Sequence, residues 1–249
     1  MSLPSKNGVR IRKFRASDLN GVRELFMLGM ARGPGSPRRV ALKESLLDWA
    51  SCLAYLLVFS SVVLAAQYPQ WRTIGYSLLI GATTLFFTYR WMISESFIAY
   101  CNNSLKTDLA DIANFYHMKP MDSDDKEELS PVGPSGFWVV EREYTDGRES
   151  EIVGCVGLDC HLKDGNLRAE LRRMVVSPHH RRLGIAALLI QQLVAHARQH
   201  RMTAVYLGTT QYQHAAIRMY QKFGWVESRR DFYREGTIKV TLLEYRLDL

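Results

Sequence analysis

Charge is nearly absent from one long part of this 249-residue sequence. Arg72 is the only charged residue between Trp49 and Tyr89. Two helices of about 18 residues in this stretch would each be about 27 Å long, close to the minimum that crosses a bilayer core. The stretch begins too late in the chain to be a signal peptide. It predicts a membrane-associated helical hairpin; the alternatives are a buried hairpin of a soluble domain and an amphipathic element on a membrane surface.

Cysteine is scarce as well, and the four residues do not follow metal-ligand spacing. They are Cys52, Cys101, Cys155 and Cys160. No metal site is therefore predicted. Cys155 and Cys160 share a predicted strand and are an odd number of residues apart, so they should point to opposite faces and cannot pair within it. Reduced thiols are the expected state.

Excess positive charge is missing from most of the chain. Lys and Arg outnumber Asp and Glu by ten to three in residues 1–45, whereas residues 46–249 hold 22 of each, so the whole net charge of +7 lies in the first segment. A nucleic-acid-binding protein more often spreads basic side chains over a folded face, which argues against a nucleic-acid partner. A basic segment beside an apolar one is typical of the cytoplasmic side of a membrane and indicates lipid as a partner.

Hydrophobic patterns divide the remainder of the chain into strands, helices and turns. Strands are predicted at 9–14, 137–142, 152–158, 168–176, 204–208, 225–229 and 237–246. Helices are predicted from Ser17 to about Met30, from Ser94 to Leu105, from Thr107 to about His117, from Gly184 to about Gln199, and from Ala215. Turns are predicted at Asp146-Gly147 and Asp164-Gly165, and a polar surface loop at Met121–Ser135.

The most informative motif joins the strand 168–176 to the helix that starts at Gly184. A helix start leaves its first amides unpaired and carries the positive end of the helix dipole, so this turn is predicted to bind a pyrophosphate. The alternative is an ordinary basic helix N-terminus. The predicted contacts are the residues Arg181, Arg182, Leu183, Gly184, Ile185, Ala186 and Ala187.

Two motifs resemble those of the Gcn5-related N-acetyltransferases, abbreviated GNAT. The pattern Arg181-x-x-Gly184-x-Ala186 resembles the acetyl-CoA pyrophosphate signature of that family, and residues 215–225 resemble the helix that ends beneath the CoA thiol. The resemblance implies acetyl-CoA as co-substrate and an α/β (α+β) GNAT fold, in which helices flank a mixed central sheet. It also implies cofactor contacts at the backbone of Met174, Val175 and Val176 and at Ala216.

Acetyl transfer requires a base for the acceptor amine and an acid for the departing thiolate. Glu170 lies on the strand before the anion loop, where the resemblance implies a carboxylate base acting through water. The alternative is a strand carboxylate paired with Arg168 or Arg172. Tyr220 is the predicted acid, since the resemblance implies a tyrosine beside the sulfur; its alternative is a core tyrosine.

The chain more closely resembles the camello-like N-acetyltransferase 8 family, and within it the N-acetylaspartate synthetase branch. Leu183, where Lys or Gln is usual, and the long loop at Met121–Ser135 are departures from the family pattern. This resemblance implies a membrane-bound enzyme. The segments that carry it are 11–16, 107–112, 116–120, 136–139, 170–174 and 205–210.

The acceptor site is predicted at two arginines on the strand 168–176. Arg172 and Arg173 are candidates for binding an acceptor carboxylate, and Arg173 matches the aspartate-acetylating branch. Strand alternation predicts that Arg172 shares a face with Glu170 and that Arg173 lies opposite, unless a bulge intervenes. The alternative for both is a solvated or paired strand arginine.

These observations predict three segments: residues 1–45, the basic first strand and helix of the GNAT domain; residues 46–93, the hairpin; and residues 94–249, the rest of the domain. Because both flanks belong to one folded body, the chain should cross the membrane twice or not at all, with the GNAT domain in the cytosol. We expect a membrane-bound N-acetyltransferase of a small amino acid or conjugate at the endoplasmic reticulum, or alternatively in mitochondria. The alternatives are a lysine acetyltransferase of secretory-pathway proteins and a non-catalytic CoA-binding scaffold, and the oligomeric state stays open.

Overall fold

A computed structural model describes residues 8–120, 129–144, 150–163, 166–235 and 238–249. The predicted turns at Asp146-Gly147 and Asp164-Gly165, and residues 121–128 of the predicted loop, lie outside the described residues. The strands are β1 Val9–Lys13, β2 Met118–Pro120, β3 Leu129–Pro131, β4 Gly136–Arg142, β5 Glu151–Lys163, β6 Asn166–Val176, β7 Ala204–Thr210, β8 Val226–Glu235 and β9 Ile238–Asp248. The helices are α1 Leu19–Met27, α2 Pro37–Glu44, α3 Trp49–Gln67, α4 Arg72–Lys106, α5 Ile112–Phe115, α6 Ile185–Gln199 and α7 His214–Lys222.

Seven strands form one mixed sheet in the order β1-β4-β5-β6-β7-β9-β8, and β2 pairs with β3 in a separate ribbon. Neighbouring strands of the large sheet are antiparallel except β6 and β7, which are parallel. This arrangement confirms the predicted fold class of a mixed sheet flanked by helices.

Each face of the sheet carries its own apolar layer. On one face, the stripe of Ile185, Leu189 and Leu193 belongs to an apolar layer that also contains Val205 and Leu207, and α7 extends this layer. We call it the α6–α7 face. On the other, the α1–α5 face, residues of α1, α4 and α5 pack against the apolar residues of β4 and β5.

The cysteine prediction is confirmed. Cys155 lies in the apolar layer of the α1–α5 face, whereas Cys160 packs against the layer of the α6–α7 face. All four thiols are free.

The inserted hairpin consists of α3 and α4. Helix α4 runs for 35 residues without a break, so the prediction of a separate helix at Ser94–Leu105 is wrong: this segment continues the second arm of the hairpin into the body of the protein. Among the described helices, α3 alone has the length and apolar composition of a membrane span, and 22% of it is buried.

Small residues form the contact between the two arms. A Cβ added at Gly75 would lie 2.8 Å from the Ala65 Cβ and 3.0 Å from the Ser61 carbonyl oxygen, so the backbones approach closely there. We call this contact between α3 and α4 the seam. Its other buried residues are Ser51, Ala54 and Ala82. Large apolar side chains point outward, among them Leu56, Phe59, Ile80 and Phe87.

Polar contacts fasten the base of the hairpin to the rest of the protein. The Arg90 guanidinium donates to the Leu42 carbonyl at 2.7 Å and to the Ser45 hydroxyl at 3.0 Å. Ile93 and Phe97 of α4 belong to an apolar cluster against which Tyr212 packs. Since Tyr212 follows β7, the hairpin is attached at the carboxyl end of the parallel strands.

Residues 107–117 differ from the predicted helix. Helix α4 ends at Lys106, residues 107–110 form turns, and only Ile112–Phe115 is helical. Asp111 caps this short helix by accepting a hydrogen bond from the Asn114 amide at 3.0 Å. The turns direct Asp108 inward to an ion pair with Arg173, which a continuous helix would not allow.

Candidate active site

The predicted anion loop lies between β6 and α6. Gly184 has a φ of +79°, in the left-handed region that favours glycine, and a Cβ added there would meet no atom within 4 Å. Glycine is therefore favoured here by the positive φ of the backbone, and not because a side chain would clash with a neighbour. The first helical backbone bond runs from the Leu188 amide to the Gly184 carbonyl at 3.1 Å, which leaves the amides of residues 185–187 without a helical acceptor.

Two exposed arginines accompany these amides. Arg181 and Arg182 are exposed, and neither makes an ion pair with any described residue. Two uncompensated guanidinium groups beside the positive end of a helix dipole are the kind of surroundings that attract an anion. The residues present therefore fit the pyrophosphate of a nucleotide cofactor.

A cleft opens beside this loop because β6 and β7 separate. The two strands pair over three positions only, from Ala169 opposite Val205 to Leu171 opposite Leu207. Beyond Leu171, β6 stays paired with β5 on its other edge, through Val175 opposite Cys155. In the part of the chain that the structure describes, the β7-facing edge of residues 174–176 has no strand partner.

The end of β7, beyond its last pairing with β6, carries unsatisfied polar atoms. Thr209 and Thr210, at the end of β7, have buried hydroxyl oxygens with no hydrogen-bond partner among the described residues. Buried hydroxyls normally find a partner. The free edge of residues 174–176 fits an extended, amide-containing arm such as pantetheine, which would pair with β6 as an added strand.

Tyr220 lies at the inner end of the cleft. Its hydroxyl is 3.8 Å from the sulfur of Met174, which lies on the strand that borders the cleft. Burial raises the pKa of Tyr220, so the phenol keeps its proton at neutral pH. Ala216 lies one turn earlier on α7 and packs against the same core. The Tyr220 hydroxyl thus faces β6.

Glu170 lies on the α1–α5 face, beside a group of polar residues on β5. Side-chain ligand atoms of Asp159, His161 and Glu170 all lie within 4.8 Å of one another. The alternative in which Glu170 pairs with Arg168 or Arg172 is not observed. Arg168 pairs with Glu244, and Arg172 Nη1 lies 3.2 Å from the Asp159 carboxylate. The Glu170 carboxylate makes no ion pair within the described ranges.

A bulge in β6 changes the predicted strand alternation. The register with β5 shifts between Cys155 and Gly157, so Arg173 and Met174 together oppose one residue, and Arg173 has a φ of +52°. Arg173 consequently shares the α1–α5 face with Arg172. The prediction that the two arginines point to opposite faces is wrong, because the extra residue reverses the alternation.

Arg173 is engaged in a buried, bidentate ion pair with Asp108. Its Nε and Nη2 each donate to an Asp108 oxygen at 2.6 Å, and its Nη1 donates to the Tyr100 hydroxyl at 2.9 Å. Burial opposes ionisation of Asp108, but the hydrogen bonds and charge of Arg173 outweigh it and lower the pKa of Asp108. The side chains of Arg173 and Arg172 are 9% and 32% exposed, so Arg172 is the more accessible cation.

Sequence reasoning missed several residues of this site. Asp108 was assigned to the acidic first turn of a helix, and its ion-pair partner lies 65 positions away. Asp159 and His161 lie on a strand whose pattern indicated only burial. The alternation of β5 could have indicated that these two share one face, but not that they lie beside Glu170.

Comparison with known proteins agrees with this geometry. A family model described as "Acetyltransferase (GNAT) family" matches residues 102–225. The crystal structure of a GNAT-family acetyltransferase from Staphylococcus aureus Mu50 has a TM-score of 0.51 and 14% identity, covering 96% of this chain and 98% of that one. At this identity the likeness shows the fold alone.

Relatives with higher identity cover most of the chain. N-acetylaspartate synthetase from Danio rerio is 30% identical over 225 residues, 90% of this chain and 68% of that protein. Human N-acetylaspartate synthetase is 31% identical, and the chain spans 64% of its length. Human N-acetyltransferase 8 is 30% identical over 229 residues, 90% of this chain and 86% of that protein.

Proposed function

The chain belongs to the GNAT family and is an acetyl-CoA-dependent N-acetyltransferase, and we propose that its acceptor is the amine of a small, carboxylate-bearing amino acid. Aspartate is the first candidate, since two relatives carry the name N-acetylaspartate synthetase, and cysteine S-conjugates are the second. One observation carries the proposal. The anion loop, the cleft between β6 and β7, Tyr220 and Glu170 all adjoin a single strand, β6.

Each part of the site has a role in this reaction. Acetyl-CoA supplies an activated acetyl thioester when it is bound. The amides of residues 185–187 and Arg181 or Arg182 hold its pyrophosphate, and the free edge of residues 174–176 binds its pantetheine arm. An amide of that edge donates to the thioester oxygen as negative charge develops there.

Two side chains move the protons. Glu170 takes a proton from the acceptor amine through water, and its carboxylate is available because the nearby arginines are paired with other groups. Tyr220 gives its proton to the departing sulfur. Its raised pKa keeps the phenol protonated at neutral pH, so a proton is present when the thiolate leaves.

Arg172 is the proposed contact for the acceptor carboxylate. It lies on the same face as Glu170, holds a single bond to Asp159, and is partly exposed. Arg173 donates from all three of its nitrogens within the protein, so in this proposal it supports the site through Asp108 and Tyr100. A partly exposed guanidinium beside the base suits an acceptor whose amine and carboxylate are close together.

We also propose that the hairpin, residues 46–93, anchors the protein in a membrane. Its burial pattern is the reverse of that of a soluble hairpin: glycine, alanine and serine fill the seam, and leucine and phenylalanine cover the outside. Both arms join the folded body at the same end, so the chain enters and leaves on one side. The basic residues 1–45 favour the cytosol for that side, at the endoplasmic reticulum in our proposal.

Acetyl-CoA turnover against a panel of amino acids, cysteine conjugates and polyamines tests the reaction. We expect acetylation of aspartate, and a loss in kcat on the order of 10²-fold in Glu170→Gln and in Tyr220→Phe. Tyr233→Phe, on the exposed part of β8, is the matched control and should keep the wild-type rate. Unchanged rates in the two active-site variants would refute the assigned roles. Acetylation of protein lysines without any free amino acid would favour the protein-acetylating alternative, and CoA binding without turnover the scaffold.

Carbonate extraction tests the anchor. The wild-type protein should remain with the membrane pellet, because the outward side chains of the hairpin are apolar. Release into the supernatant would rule out integral insertion. Protease treatment of sealed microsomes tests the topology, since a cytosolic GNAT domain should be digested without detergent.

A further inference from the structure

A polar cluster on β5 lies directly beside the proposed base. Asp159 is the register partner of Glu170 in the antiparallel pair of β5 and β6, and His161 lies two residues farther along the same face of β5. The carboxylate and imidazole ligand atoms of the three residues are within 4.8 Å of one another. The proposed function uses only Glu170 of this group.

The two carboxylates of the cluster differ in the positive groups that lie beside them. Two carboxylates directly opposite across a strand pair ordinarily repel each other. Here Arg172 Nη1 lies 3.2 Å and His161 Nδ1 3.3 Å from the same Asp159 oxygen, so Asp159 is compensated. Glu170 has no such partner in the described part of the chain. The charge of Asp159 is therefore balanced by its neighbours, and Glu170 is available to bind an external cation such as the acceptor's ammonium group.

The imidazole connects this cluster to the solvent. Nδ1 of His161 is buried and lacks a hydrogen bond to any described residue, while 38% of the side chain is exposed. The distance from a Glu170 oxygen to the imidazole, no more than 4.8 Å, is one that a single water molecule bridges. The ring thus lies close to the base and is also partly exposed to bulk water.

We propose that His161, which lies beside Asp159 and Glu170, relays the amine proton from Glu170 to the solvent; this rests on the proposed acetyl transfer. An ammonium acceptor has two protons to lose. The first passes to Glu170 and then, through a bridging water and His161, to bulk water. As the N–C bond forms and the thioester C–S bond breaks, the second passes from nitrogen to sulfur through Tyr220. The relay returns Glu170 to its carboxylate form for the next turnover.

The neighbours of His161 are suited to an imidazole that gains and loses a proton. The charged groups that face it are Asp159 on its own strand and Arg168, Glu170 and Arg172 on β6. Arg168 is its register partner and is neutralised by Glu244. The Asp159 carboxylate lies 3.3 Å from Nδ1 of the imidazole.

Chemical rescue tests the relay with the full-length protein in detergent. We expect His161→Ala to lower kcat on the order of 10²-fold while the KM for acetyl-CoA stays unchanged, and added imidazole to restore part of the rate. Product is measured as the acetylated amino acid by mass spectrometry, since imidazole can itself accept acetyl groups. His200→Ala, at the residue that follows α6 on the other face of the sheet, is the control and should show neither the loss nor the rescue.

His161→Gln is a second variant of similar size, and its Tm separates chemistry from folding. Loss of kcat with an unchanged Tm and rescue of the alanine variant supports the relay. Full activity in both variants, or a loss that imidazole does not rescue, overturns it. Chelator-sensitive wild-type activity that a divalent metal restores also overturns it, because the three side chains would then be metal ligands. A wild-type protein that acetylates no acceptor overturns the proposed function itself.

Discussion

Replacing Asp108 with asparagine should destabilise the protein far more than breaking an exposed ion pair. The side chains of Asp108 and Arg173 are only 2% and 9% exposed, and two hydrogen bonds of 2.6 Å join them. Removing one partner of a buried pair costs about 3–5 kcal/mol, since the other charge is left unpaired. At about 2–4 °C per kcal/mol for a chain of this size, Tm should fall by about 6–20 °C.

Thermal unfolding in detergent, followed by near-UV circular dichroism, measures this effect. The matched control is Glu227→Gln, which removes an exposed ion pair with Arg230 and should leave Tm almost unchanged. The double variant Asp108→Leu with Arg173→Leu should recover much of the lost stability, because no unpaired charge remains. Equal Tm values for Asp108→Asn and Glu227→Gln would refute the reasoning.

The stabilisation that the Asp108–Arg173 pair provides should depend on pH in a defined direction. Burial raises the pKa of Asp108, but Arg173 lowers it by more, so the folded-state pKa is below the unfolded value. Stability from such a group is present above the unfolded pKa of about 3.9 and is lost as pH falls through the folded pKa. The Tm difference between the wild-type protein and Asp108→Asn should therefore be constant near neutrality and narrow below about pH 4. A difference that grows in acid would contradict the assignment.

Four further variants test the cofactor loop and the hairpin. Gly184→Ala places a side chain at a φ of +79° and should cost about 1–2 kcal/mol of loop stability, seen as a raised KM for acetyl-CoA with little change in kcat. The double variant Arg181→Ala with Arg182→Ala should raise the same KM and weaken its dependence on salt, as expected if these guanidinium groups bind phosphate. Gly75→Leu should separate the hairpin arms and expose them to protease, whereas Gly81→Leu should not, since an added Cβ at Gly81 meets nothing within 4 Å. Equal protease sensitivity of the two leucine variants would contradict the close seam.

Local signals account for what the sequence predicted well. Helix α6 was expected from Gly184 to about Gln199 and is observed at Ile185–Gln199. Its start is determined within a few residues, by a glycine with left-handed φ followed by an apolar stripe. The same holds for the anion loop, whose unpaired amides are a property of any helix start.

The features that the sequence did not predict depend on contacts between segments that are far apart in the chain. Thr107 to Asp111 has the composition of an acidic helix start, yet Asp108 turns inward because a buried arginine 65 positions away requires a counter-charge. Similarly, the pattern of α4 changes near Arg90 from apolar to mixed, which suggested two helices. The surroundings of the helix change there, but its backbone does not break, because one helix passes from the apolar hairpin into the packed body.

The bulge at Arg173 is the feature with the largest consequence for the site. An arginine at a φ of +52° is unusual, and no residue near it in the sequence indicates a turn. The extra residue bends β6 just after its last pairing with β7 at Leu171, and a bulge increases the local twist of its strand. The same irregularity therefore brings Arg173 onto the face of Glu170 and Arg172 and separates β6 from β7. The acceptor side and the cofactor cleft depend on one backbone event, so a substitution that removes the bulge should disturb both binding sites together.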